Sequence, residues 1–304
     1  MSFEITILGS SSATPIYQRH PTAQVLQVQE RFFLVDCGEG TLIQLNRYRI
    51  KFHRINQIFI SHLHGDHYLG LMGLLSTMHL QGRTVPLQLF GPKELWEIIE
   101  IQLKYSQTTL RYPIDFHPTD PATPAVIYSD ETVKVSTIIL SHRIPCTGFL
   151  FEEQPRLRKI DKDKLHGLDF AAEQYQLLKE GKDLVLSDGR VMFNKDLTQD
   201  PPPPRRYAFC SDTIYDERLI DCVNSVDLLY HESTFLEELS WRAAETFHST
   251  ARQAATIAKK ANVKRLIIGH FSARYKNLYP MLDEAKEVFE NTTLALEGDR
   301  FSID

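Results

Sequence analysis

The stretch "SHLHGDH" (residues 61–67) places His62, His64, Asp66 and His67 within six positions. It directly follows "INQIFI" (55–60), whose apolar and β-branched residues predict a strand. Nitrogen and oxygen donors packed this densely at a strand end point to a metal-binding loop. The bland alternative is a histidine-rich polar turn. The choice depends on whether distant parts of the chain supply more ligands.

They do. "VSTIILS" runs into His142, "YAFCS" into Asp212, "VDLLY" into His231 and "RLIIG" into His270. In α/β folds, functional side chains collect on loops that leave rigid strands at one edge of a sheet. Strands ending on a common edge would bring these donors together. Imidazole and carboxylate without thiolate suit Zn²⁺, Mn²⁺ or Fe²⁺. His62, His64 and His142 could hold one ion and Asp66, His67 and His270 a second, with Asp212 bridging them. Two such ions suit hydrolysis at phosphorus. Isolated histidines (His20, His53, His79, His117, His166) are read as structural or exposed.

Around this centre the first 110 residues alternate strands (3–9, 23–29, 31–38, 55–61, 86–92) with helices beginning near 40 and at 67–80 and 93–106. Residues 125–151 return to β character. Residues 152–204 are charged, weakly apolar and closed by Pro201–Pro204, which predicts an inserted arm on a single 304-residue domain. The core resumes at 205, with strands near 205–213, 225–232 and 263–270 and a helix at 250–261. The expected fold is α/β, an αββα sandwich of two mixed sheets flanked by helices, carrying the arm.

The chain is 42% hydrophobic and 24% charged, an ordinary globular balance. No apolar run approaches the roughly 18 residues of a membrane helix. The opening residues lack a basic region followed by an apolar core, so no signal peptide is expected. The four scattered cysteines are read as buried thiols in a reducing, cytoplasmic compartment. Net charge is −5, so any polyanion must meet a local basic patch or bound cations. One such patch opens the arm, where "PRLRKIDKDK" (155–164) carries Arg156, Arg158, Lys159, Lys162 and Lys164.

"SHLHGDH" resembles the HxHxDH signature of the metallo-β-lactamase superfamily. Read with "LGSSSATP", "LVDCGEGT", "SDT" (211–213), "HESTF" (231–235) and "FHST" (247–250), the whole chain resembles ribonuclease Z, the tRNA 3′-processing endonucleases of that superfamily. The resemblance implies two zinc ions per subunit on the seven donors above. It implies Asp66 as the proton acceptor for the attacking water, His248 as the acid at the leaving oxygen and Glu232 as its carboxylate partner. His231 is then a supporting residue, and Asp36 either a support for the centre or a turn former. The implied substrate is precursor tRNA, gripped by the arm, and the implied assembly a homodimer without a membrane. Two stretches depart from the family's pattern. The early loop "PIYQRHP" has Tyr17 and His20 where a Pro-x-Lys-x-Arg-Asn pattern has Lys and Asn. The arm's "HGLDFAAEQYQLLKEG" lacks a Gly-Pro pair. Competing readings are another phosphodiesterase or hydrolase of the same fold and a catalytically silent RNA-binding homologue.

Overall fold

The computed structural model describes residues 2–165, 170–186 and 188–304. His166 and the rest of "HGLD" (166–169) lie outside the described residues. The chain divides into two compact units, 1–152 with 205–304, and 153–204.

In the larger unit, β1 (Phe3–Gly9), β2 (Ala23–Val28), β3 (Arg31–Val35), β4 (Ile55–Phe59), β5 (Leu87–Gly91) and β6 (Ile114–Pro118) belong to one sheet. The next strands, β7 (Val126–Ser129), β8 (Val133–Leu140) and β9 (Cys146–Glu153), open a second sheet. In the smaller unit, β10 (Lys159–Ile160) pairs with β13 (Thr198–Gln199), and β11 (Leu184–Val185) pairs with β12 (Val191–Met192). Beyond it, β14 (Arg206–Cys210), β15 (Leu228–Glu232), β16 (Leu266–Gly269) and β17 (Thr292–Leu294) complete the second sheet, and β18 (Arg300–Ser302) returns to the first. The orders are β18-β1-β2-β3-β4-β5-β6 and β17-β16-β15-β14-β9-β8-β7. Strands β3 through β6 run parallel, as do β14 through β17. The His62 and His270 loops therefore leave the C-terminal ends of parallel strands, where such sheets collect their sites.

Strand periodicity builds three apolar layers. Phe59 joins Phe33, Phe90, Phe149, Phe151, Phe209 and Tyr230 between the sheets, while its neighbours Ile58 and Ile60 face the opposite side. On that outer face lie α1 (Thr41–Arg47), α2 (Gly65–Tyr68), α3 (Leu71–Leu80) and α4 (Glu94–Tyr105). The smaller unit contributes α5 (Ala172–Lys179) and α6 (Asn194–Leu197). Against the outer face of the second sheet lie α7 (Leu219–Cys222), α9 (Ala251–Lys260) and α10 (Tyr279–Lys286), with α8 (Ser240–Thr246) leading into α9. Small residues Ala254, Ala255 and Ala258 let α9 pack closely, and all three are fully buried.

Several details differ from the sequence expectation. The helix expected at 67–80 is two helices parted at Gly70, where a Cβ would sit 2.2 Å from the Gly38 carbonyl oxygen. Strand β6 is an additional element, because "IDFHP" has mixed exposure and no clean alternation. Cys37, Cys146 and Cys210 are buried, but Cys222 is exposed. Leu219 and Val223 take the inward positions of that turn, which turns Cys222 outward.

Residues 153–204 form elements around their own small core of Leu165, Phe170, Leu178, Leu184 and Leu197. Asn194 ties this unit together, its side-chain amide donating to the carbonyls of Leu178 (2.7 Å) and Lys182 (3.1 Å). No helix among the described residues is long and apolar enough to cross a membrane.

Candidate metal centre

The seven donors named from the sequence lie together. One atom from each of His62, His64, His142 and Asp212 falls within 4.8 Å of the others, and the same holds for Asp66, His67 and His270. Asp212 stands between the groups. Its Oδ2 is 3.5 Å from His62 Nε2 and 3.7 Å from His142 Nε2, while its Oδ1 is 3.4 Å from His67 Nε2 and 3.2 Å from His270 Nε2.

The supports around these side chains fix which ring nitrogen faces inward. Asp36 leaves β3 with φ 56° and accepts from Ser61 N (2.8 Å), Ser61 Oγ (2.9 Å) and His67 Nδ1 (2.7 Å). Ser61 Oγ, its proton committed to Asp36, lies 3.0 Å from His62 Nδ1 and accepts from it. His142 Nδ1 donates to the Phe247 carbonyl at 2.8 Å. His270 Nδ1 donates to Thr234 Oγ1 (2.9 Å), whose own proton goes to Glu232 Oε2 (2.7 Å). Each of these four rings therefore carries a proton on Nδ1 and turns Nε2 toward the centre; at His62 and His142, which burial keeps neutral, that Nε2 is a bare lone pair.

That arrangement tests whether a metal fits. The nitrogens His62 Nε2 and His142 Nε2 lie 3.0 and 3.1 Å from His64 Nδ1, yet neither outer ring has a proton to offer there. Among the described residues His67 Nε2 is buried without a hydrogen-bond partner, and His270 Nε2 faces Asp66 Oδ2 at 3.3 Å. Converging lone pairs and carboxylates repel unless positive charge lies among them. The donor set of imidazole and carboxylate is that of a divalent transition metal.

Electrostatics agree. Burial lowers His62, His64 and His142, the last to about 4, so all three are neutral near pH 7, the form in which imidazole can coordinate a metal. Burial would raise Asp212, but His270, His67 and His62 outweigh it and hold the carboxyl well below its ordinary range. Burial also opposes charge on His67, and Asp212, Asp66 and Asp36 overcome it, so the pocket demands a cation there. Cys146 Sγ approaches His62 Nδ1 at 3.6 Å, but burial pushes its thiol far up, and it remains protonated.

The segment "FHST" is rigid for local reasons. Phe247 ends α8 in the left-handed region (φ 57°), which turns its carbonyl toward His142. Thr250 caps α9, accepting from Gln253 N at 3.1 Å, while Gln253 Oε1 accepts from Thr250 N at 3.0 Å. Between them His248 Nδ1 donates to Glu232 Oε1 at 2.8 Å. Burial works to lower the His248 pKa, but the charge and hydrogen bond of Glu232 push it up to about 9. His248 is thus a buried imidazolium beside Asp212 and His270. His231, also at a strand end, stays outside the cluster. Its Nδ1 donates to the Glu232 carbonyl at 2.7 Å, and burial keeps it neutral.

Motif reading alone misses the supporting roles of Ser61, Thr234 and the Phe247 carbonyl. Hydroxyl residues flanking a motif histidine are the available signal, in "SHLH" and "HEST". In the smaller unit, Arg156 pairs with Glu153 (3.0 Å), and Arg158 pairs with Asp200 and donates to Thr198 Oγ1 (2.7 Å). Lys159, Lys162 and Lys164 are exposed. Arg158, Lys159, Lys162 and Lys179 line an open groove of about 890 Å³ with Leu157, Ile160, Leu165 and Tyr175.

A family model described as "Anti-Pycsar protein Apyc1" matches residues 3–181. A ribonuclease Z from Bacteroides fragilis is 47% identical over 296 residues, covering 97% of each chain. One from Cytophaga hutchinsonii is 47% identical over 304 residues, covering 100% of this chain and 97% of its own. The crystal structure of human tRNase Z, short form, superposes with a TM-score of 0.71 at 29% identity, covering 99% of both chains. The metallo-β-lactamase fold protein YhfI from Bacillus subtilis superposes equally well, TM-score 0.71, at 17% identity over 99% of this chain and 100% of its own, a likeness of fold. From end to end the chain belongs to the ribonuclease Z family of the metallo-β-lactamase fold, and its residues 3–181 belong as well to the family described as Anti-Pycsar protein Apyc1.

Proposed function

We propose that this chain is a metal-dependent endoribonuclease that removes the 3′ trailer from precursor tRNA, using two zinc ions, with Mn²⁺ or Fe²⁺ as alternatives. The observation that carries the reading is the set of four inward histidine Nε2 atoms around Asp212, with the His248–Glu232 pair beside them at 2.8 Å. A carbonyl hydrolase has no need of that buried acid pair. His62, His64 and His142 would hold one ion and Asp66, His67 and His270 the other, with Asp212 available to both.

When bound, the ions supply the Lewis acidity that makes water nucleophilic near neutral pH and neutralise charge on the phosphate oxygens. Asp66 orients the water and takes its proton as the new P–O bond forms. The P–O3′ bond breaks on the opposite side. His248 delivers its Nε2 proton to the departing 3′-oxygen, leaving a 3′-hydroxyl on the tRNA and a 5′-phosphate on the trailer. Glu232 keeps His248 protonated and fixes its ring by accepting from Nδ1.

This role for His248 carries a pH dependence. Its acid form is present below its pKa and is lost as pH rises through it. Glu232 raises that pKa, so Glu232→Gln is expected to move the alkaline limb of kcat to lower pH, by about one unit or more. An alkaline limb that stays in place in the variant would remove His248 from the acid role.

The arm serves as the tRNA-binding element. Because Arg156 and Arg158 are already paired, the exposed Lys159, Lys162 and Lys164 carry most of the contact with phosphates. Changing these three lysines to alanine is expected to weaken precursor binding and to flatten the slope of log K against log salt by roughly 2–3. Hydrolysis of a small chromogenic phosphodiester should not change. An unaltered salt slope would deny these lysines the role. A homodimer in which each arm serves the partner's centre, working in the cytoplasm, completes the proposal.

A second reading is a hydrolase of another phosphodiester. The divergent Tyr17 and His20 in the early loop favour it. Turnover of precursor tRNA measured beside the small diester separates the two.

A further inference from the structure

His20, one of the two departures in the early loop, has a partner 277 residues away. Its Nδ1 lies 3.0 Å from Glu297 Oε2, and its backbone N–H donates to Glu297 Oε1. Gln44 holds the same carboxylate from the other side, donating to Glu297 Oε2 at 2.6 Å and to the Leu8 carbonyl at 2.8 Å. Gly40 (φ +83°) lies against the imidazole, where a Cβ would sit 2.5 Å from His20 Cδ2. His20 is thus clamped.

The clamp continues to the metal centre through backbone hydrogen bonds. The His20 carbonyl accepts from Ser10 N and Ser11 N, each at 2.9 Å. On its other edge the same segment binds the residue after His270: Phe271 N donates to the Ser10 carbonyl at 2.8 Å, and Ser12 N donates to the Phe271 carbonyl at 3.0 Å. One residue further, Ala13 N donates to Asp66 Oδ2 at 2.6 Å. Two donors assigned to one ion, Asp66 and His270, therefore rest on residues 10–13. That segment also carries strain nearby. Ala13, Tyr17 and Gln18 have φ of 63°, 53° and 63°, and His270 has 59°. Non-glycine residues hold such conformations only where the surroundings enforce them.

We propose that Glu297 is a positioning residue for the hydrolytic step, holding Asp66 and His270 in place through His20 and the 10–13 segment. The inference rests on the reading of Asp66 as proton acceptor and ligand. It also gives the early loop an anchor, since Glu297 holds His20 by both backbone and ring. A displacement of about 1 Å at reacting groups can cost 10²-fold in rate.

The test is Glu297→Ala and Glu297→Gln in the full-length, metal-loaded protein, assayed on precursor tRNA and on bis(p-nitrophenyl) phosphate. Glu297→Ala is expected to lower kcat by about 10- to 100-fold on both substrates, with KM for precursor tRNA within about threefold of wild type. It should also need more added Zn²⁺ or Mn²⁺ for half-maximal activity. Glu297→Gln, which keeps one acceptor oxygen, should recover part of the loss. Val226→Ala, a core truncation expected to lower Tm comparably, should leave kcat and the metal requirement unchanged and so excludes a general stability effect. Loss on precursor tRNA alone, with the diester and metal requirement unchanged, would make Glu297 an RNA-binding support and overturn the proposal. So would full activity in Glu297→Ala. A wild-type protein that hydrolyses neither substrate would instead overturn the catalytic reading on which the proposal rests.

Discussion

Asp212→Ala is expected to strip the centre of metal and to lower turnover of precursor tRNA on the order of 10³-fold or more. Asp212 is buried, and its two oxygens lie 3.2–3.7 Å from the inward nitrogens of four histidines. Without it, the His62, His64 and His142 group loses its only negative charge, and the Asp66, His67 and His270 group keeps Asp66 alone. On the proposed two-ion reading both ions should leave together, because one carboxylate lies against both donor groups. Elemental analysis of the purified variant checks this directly. A variant that keeps both ions and its rate would mean that Asp212 is not the bridge. Asparagine is the more conservative change. It preserves the shape and removes the charge, so it distinguishes loss of metal from loss of packing.

His248→Ala is expected to act differently, lowering kcat by about 10²–10⁴-fold while metal content stays near wild type. The distinction follows from geometry. His248 Nδ1 is committed to Glu232 at 2.8 Å, and the nearest Asp212 oxygen is 4.0 Å away. It touches the centre's edge without completing either donor group. Its removal leaves the buried Glu232 carboxylate short of one partner, but Thr213 N (3.1 Å), Thr234 N (3.0 Å) and Thr234 Oγ1 (2.7 Å) still donate to it. The variant should therefore fold. A substrate with a better leaving group should be affected less, because it needs less help from an acid. Equal losses for good and poor leaving groups would contradict the role given to His248.

How far the sequence spoke depended on the range over which each signal acts. Strand ends and donor residues could be read because "IFISH", "IILSH" and "IIGH" join a short continuous apolar run to a histidine, and both signals are local. A run apolar on both faces fits a strand buried between two layers, and Phe59 faces one layer while Ile58 and Ile60 face the other. Asp36 could not be separated from a turn residue, since its three donors come from Ser61 and His67, across the sheet. The break at Gly70 depended on contact with Gly38, which no periodicity reveals. The His20–Glu297 clamp joins opposite ends of the chain. In the early loop the sequence marked only a departure from pattern, and the reason for it is tertiary. The arm had the composition of a solvated loop, yet a few apolar residues (Leu165, Phe170, Leu178, Leu184, Leu197) suffice for a small core of its own.

The most direct test of metal-dependent tRNA 3′ processing is cleavage of a precursor tRNA by the purified protein, with the product ends mapped, before chelation, after it, and after readdition of Zn²⁺ or Mn²⁺. The expected result is a single cut at the 3′ end of the tRNA body leaving a 3′-hydroxyl, abolished by the chelator and restored by the metal. Cleavage that survives complete metal removal, or an intact precursor under conditions where a small phosphodiester is hydrolysed, would contradict it.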